Sequence, residues 1–141
     1  VGSVEHVELL RRRCRAFYGY ALMVFERGDY DTAMFMCEQA VQFCLKAVLL
    51  RILGFVPRGH GVRELLGMLS KTLEELGKLE LSRQVSAFAE IYRDGLRLLE
   101  DAYIGSRYLA KTYEKEDAAR SIEVVRSLIK LVEVVEQDVF S

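Results

Sequence analysis

Ala33-Met34-Phe35-Met36-Cys37-Glu38-Gln39-Ala40-Val41-Gln42-Phe43-Cys44-Leu45-Lys46-Ala47-Val48-Leu49 is the stretch whose reading decides the fold. It is too long for one strand, and wound as a helix it is apolar on most sides. A helix of that kind belongs at the centre of a bundle or in an interface. Its polar exceptions Glu38, Gln42 and Lys46 follow at four-residue steps, so they share one stripe, with Gln39 beside it. The sequence therefore predicts a central helix over 31–53 that carries one polar stripe.

Working outward, Gly28-Asp29-Tyr30-Asp31 precedes that helix and reads as an interhelical hinge. Glycine suits the left-handed position that stops a helix, and an aspartate can accept from the orphan amides that open the next. Before the hinge, Val4, Val7, Leu10, Cys14, Phe17, Ala21 and Val24 recur at three- and four-residue steps and predict an amphipathic helix over 3–27. After the central helix, the glycines and single proline of 53–61 mark the principal loop. A third helix is expected over 62–77, a fourth over 82–103 and a last over 115–138, with 104–113 crossing the surface as an irregular segment. The expected architecture is all-α, an up-and-down bundle of about five helices in a single domain over 1–141.

Composition agrees. The 141 residues are 51% hydrophobic and 29% charged, too apolar for a disordered chain and too often interrupted by charge for a membrane one. Twenty basic against twenty-one acidic side chains leave a net charge of −1, which argues against non-specific nucleic-acid binding. No apolar run approaches the ~20 residues that span a bilayer, and the N-terminus lacks the pattern of a secretory signal. Cys14, Cys37 and Cys44 are an odd number without ligand spacing, read as reduced core thiols in the cytoplasm. The absence of asparagine, beside many charges, points to a thermophilic source.

Few residues offer chemistry. Arg11-Arg12-Arg13-Cys14-Arg15 suggests a phosphate patch, yet helical geometry spreads it around more than one face and Glu8 can pair with Arg11 or Arg12, so a solvated face is the expectation. His6 and His60 are too far apart in sequence for a local metal site, and no metal-ligand or nucleophile motif occurs. Gly59-His60-Gly61 starts a dinucleotide fingerprint that Glu64 breaks. His60 heads the third helix, where it can cap or meet an anion. Arg107 and Tyr108, side by side, can bind a phosphate or stack a base, or Arg107 can pair with Glu38 or Asp31 across the bundle.

The run from Gly28 to Leu49, then Gly54, then Gly59-His60-Gly61-Val62-Arg63-Glu64-Leu65-Leu66, then Ser106-Arg107-Tyr108, then Tyr113-Glu114-Lys115-Glu116-Asp117-Ala118, resembles in order and spacing the HEPN family, the higher-eukaryote and prokaryote nucleotide-binding domain. The resemblance covers nearly the whole chain. It implies a bundle with a four-helix core that usually forms a homodimer and is encoded beside, or bound to, a minimal nucleotidyltransferase, often as a toxin–antitoxin pair. Ribonuclease members carry an arginine, four to six residues and then a histidine. Here no histidine follows Arg107 through Tyr113, and neither His6 nor His60 has an arginine at the required distance. The resemblance thus implies a non-catalytic module that binds a nucleotide or a partner through Glu38, Lys46, His60, Arg107 and Tyr108, with neither metal nor cofactor. Two alternatives stand beside it: an RNA-cleaving toxin with an atypical site, and a tetratricopeptide-like peptide scaffold suggested by Ala21, Phe25 and 28–33. The scaffold needs a repeat of about 34 residues, and nothing at Val62 repeats the pattern of Gly28.

Overall fold

The computed structural model describes residues 2–59, 61–108 and 111–141, with the side chains of 2, 106 and 107 outside that description. Six helices account for it: α1 (Gly2–Glu26), α2 (Tyr30–Leu53), α3 (Val62–Glu75), α4 (Leu79–Ile91), α5 (Arg93–Tyr108) and α6 (Lys115–Phe140). The fold is an all-α bundle. At the hinge Gly28 takes φ +78°, and the Asp29 carboxylate accepts from the Thr32 amide at 3.2 Å, so the stop and the N-cap of α2 fall where the sequence places them.

α2 packs against α1, α3, α5 and α6, as its nearly all-round apolar character requires. Met34, Val41, Leu45 and Leu49 have no solvent exposure, and they meet Leu65, Leu66 and Leu69 of α3, Leu96 and Leu99 of α5 and Leu128 of α6 in one core. Fully burying each such side chain stabilises the fold by roughly 1.5–3 kcal/mol before ordering entropy is set against it. α2 is also the one described helix long and apolar enough to cross a membrane, but here most of that length is buried among other helices.

Two expectations need correction. The helix read as continuous over 82–103 starts at Leu79 and is divided at Tyr92 into α4 and α5. The Tyr92 hydroxyl bonds Ser127 Oγ of α6 at 2.9 Å, and beyond it Gly95 lies so close to α6 that a Cβ there would stand 2.8 Å from Val124. The chain turns at Tyr92 and then runs hard against α6, a long-range demand that local periodicity does not carry. The segment 104–113, expected to be irregular, stays helical through Tyr108. Gly105 does not break α5; it leaves room for the Tyr113 ring, whose hydroxyl would lie 2.9 Å from a Cβ at that position. The last helix then opens on a capping box in which the Glu114 amide donates to Asp117 at 3.0 Å.

Candidate functional site

The polar stripe of α2 is buried at Glu38 and half-buried at Gln39, Gln42 and Lys46. It forms one wall of a cleft of about 460 Å³ lined by Glu38, Gln39, Gln42, Phe43 and Lys46, closed on the other side by Glu100 and Tyr103 of α5 and at one end by Gly59 and Gly61. Glu38 is 2% exposed, and its carboxylate accepts from the Gln39 side-chain amide at 2.7 Å and from that of Gln42 at 3.1 Å. The four-residue step that predicts the stripe thus also places Gln42 one turn above Glu38, where it helps satisfy a buried charge.

Lys46 lies one turn further on. Among the described residues no ion pair or hydrogen bond engages its ammonium, and it is the one cation lining the cleft. The opposite wall is held by Glu100, which accepts from Arg63 Nε at 2.6 Å and from the Arg63 backbone amide at 3.3 Å. Gly61, the N-cap residue of α3, has no side chain to cap its helix, and the α5 carboxylate takes that role from across the bundle. Gly61 is required for the approach: a Cβ there would stand 2.7 Å from Glu100 Oε2.

Of the residues expected from sequence, Glu38 and Lys46 come together in the cleft. His60 lies outside the described residues, although its neighbours Gly59 and Gly61 line the site. Arg107 lies on α5 one turn beyond Tyr103 and two beyond Glu100, in the same helical row, with its side chain outside the description. Tyr108, the last residue of α5, is 72% exposed and is not part of the cleft lining. Asp31, one possible partner for Arg107, accepts from the Tyr113 amide at 2.6 Å. Sequence reasoning missed Glu100, Tyr103 and Phe43. The spacing 96, 100, 103, 107 on one helix row was the available signal, with Leu96 as its buried end.

Two arginines of the cluster, Arg11 and Arg15, meet carboxylates of α6. Arg11 pairs with Glu8 and with Glu136 of α6, Arg51 reaches the same Glu136 at 2.7 Å, and Arg15 lies 4.0 Å from Glu133. The three cysteines are free and buried. Burial pushes the Cys37 thiol up to about 12, and a hydrogen bond with Cys14, together with burial, pushes Cys44 up as well, so neither offers a thiolate near neutrality. No group of three or more metal-ligating side chains occurs among the described residues.

Comparison with known proteins adds to this geometry. The family model described as HEPN domain matches residues 7–135. The crystal structure of TT1696 from Thermus thermophilus is similar with a TM-score of 0.67 at 23% identity, over 90% of this chain and 95% of that chain. At that identity the likeness is one of fold. No curated protein matches.

Proposed function

The chain belongs to the HEPN domain family, and from that premise we propose that it is a non-catalytic nucleotide-binding helical module whose ligand occupies the cleft between α2 and α5. The observation that carries the reading is Lys46, a cation without a partner among the described residues, in a cleft otherwise lined by acceptors, amides and two aromatic rings. A phosphate meets Lys46, while Phe43 and Tyr103 offer faces to a base. His60 and Arg107 belong to this proposal through their positions at the loop end and on the α5 row, and Tyr108 through its place beside Arg107. The non-catalytic reading rests on the absence of a histidine after Arg107.

In this proposal the module forms a homodimer, works in the cytoplasm and pairs with a minimal nucleotidyltransferase of toxin–antitoxin type. Calorimetric titration with ATP, GTP, CTP and UTP tests the ligand. Saturable binding of at least one is expected, about tenfold weaker in Lys46→Ala, a difference of about 1.4 kcal/mol. If none of the four binds, the reading fails. Cleavage of RNA that is lost in Arg107→Ala or His60→Ala would favour the atypical ribonuclease instead.

A further inference from the structure

We infer that Glu100 recognises the ribose of the bound nucleotide, so that the cleft selects ribonucleotides over 2′-deoxyribonucleotides; the inference rests on the nucleotide reading of that cleft. Two carboxylates line it, Glu38 and Glu100. Glu38 is 2% exposed and too buried to meet a ligand, whereas the Glu100 side chain is 23% exposed. Oε1 of Glu100 accepts from Arg63 Nε at 2.6 Å and Oε2 from the Arg63 amide at 3.3 Å, one bond at each oxygen among the described residues. A carboxylate has about four lone-pair sites, so each oxygen keeps capacity for a ligand donor. Arg63 itself is not part of the cleft lining, so Glu100 is held in place without blocking the site, and little ordering is left for the ligand to impose.

The order of groups along the two walls assigns the ribose to Glu100. On α2 Lys46 follows Phe43 by three residues, and on α5 Glu100 precedes Tyr103 by three, so on each wall a ring stands about 4.5 Å of helix rise from a charge. Glu100 bonds the first turn of α3 beside Gly61, and Lys46 lies on the loop side of Phe43, so both charges are toward the end that Gly59 and Gly61 close. A base between the rings therefore carries its sugar and phosphate to the charged end. The start of α3, where amides ordinarily favour an anion, is already filled by Glu100, whose like charge turns the phosphate toward Lys46. Left for Glu100 are the groups of the ligand that donate, the 2′- and 3′-hydroxyls, which acidic residues also bind in dinucleotide folds. The 2′-hydroxyl is the group a deoxyribonucleotide lacks.

Calorimetric titration of the whole protein with ATP, GTP, CTP and UTP, each beside its 2′-deoxy counterpart, tests the inference. Any ribonucleotide that binds is expected to do so at least tenfold more tightly than its deoxy form. That preference should shrink at least threefold in Glu100→Gln, because a charged acceptor makes hydrogen bonds roughly twice as strong as a neutral one. A wall residue with a merely structural role would weaken both forms alike and leave their ratio unchanged. The wild-type ratio decides even if the variant folds poorly: equal binding of ribo and deoxy forms overturns the inference and leaves the nucleotide site standing. A preference that a folded Glu100→Gln variant keeps in full overturns it as well. Failure of all eight nucleotides to bind would instead overturn the nucleotide reading, and this inference with it.

Discussion

Two carboxylates lie almost buried on opposite sides of α2, and the space in front of them differs. Glu136 of α6, 12% exposed at its side chain, is shared by Arg11 of α1 and Arg51 of α2, so one carboxylate ties three helices together. Beside it Cys14, Cys44 and Ala47 border a void of about 40 Å³, room for little more than one water. Glu38 instead orients the amides of Gln39 and Gln42 on its own helix, next to a cleft of about 460 Å³. The difference teaches that burial of a charge does not by itself mark function. On the Glu136 side, arginines from two other helices fill the space and the result is a clasp; on the Glu38 side, the carboxylate and the amides it orients stand along the wall of an open cleft.

The comparison can be broken first at the clasp. Glu136→Ala leaves Arg11 with Glu8 as its one remaining carboxylate and takes the carboxylate from Arg51, and is expected to lower unfolding free energy by about 2 kcal/mol, measured by urea denaturation, with nucleotide titration unchanged. A loss below about 0.5 kcal/mol would reduce the clasp to an ordinary surface pair.

The thiols give the next largest effect. Cys37 has its thiol raised to about 12 from an ordinary 9.0, so its contribution to stability is complete below pH 9 and is lost as pH rises toward 12, because the unfolded chain releases that proton first. Stability should fall by about 1.4 kcal/mol per pH unit in that window for this one group, and Cys37→Ala should flatten the decline.

On the cleft side, Gly61→Ala pushes the Glu100 carboxylate away from Arg63. A loss of about 1 kcal/mol is expected, since the pair is half-exposed and Glu100 can swing aside. Chemical denaturation alone and with saturating nucleotide would show whether the Glu100 wall also shapes the site. The smallest stability effect is expected from Lys46→Ala, under about 0.5 kcal/mol by thermal melting, even as nucleotide affinity drops. A large loss of stability there would place Lys46 with Glu136 as a structural charge and collapse the contrast between the two sides.

How much of this was legible in the sequence follows from which interactions are local. The Gly28 stop, the Asp29 cap and the Glu38–Gln42–Lys46 stripe are all set within four residues along the chain, and each stands where its spacing puts it. Arg11 to Glu8 is local too and was readable, whereas Arg11 to Glu136 spans 125 positions and was not. The irregular segment expected over 104–113 shows the same limit: its polar and aromatic residues hide a helical row that becomes visible once Glu100 and Tyr103 face α2.

The sequence by itself determined an all-α bundle with α2 at its centre and one polar stripe upon it, because helical periodicity and capping repeat within a turn. Only the tertiary structure decided that α5 supplies the second wall, that its Glu100 caps α3 across a glycine, and that the chain turns at Tyr92 to pack Gly95 against Val124. Those choices depend on which side chains fit between helices distant in sequence. Close packing selects among many such pairings by shape and charge over the whole core, and no single window of residues contains that information.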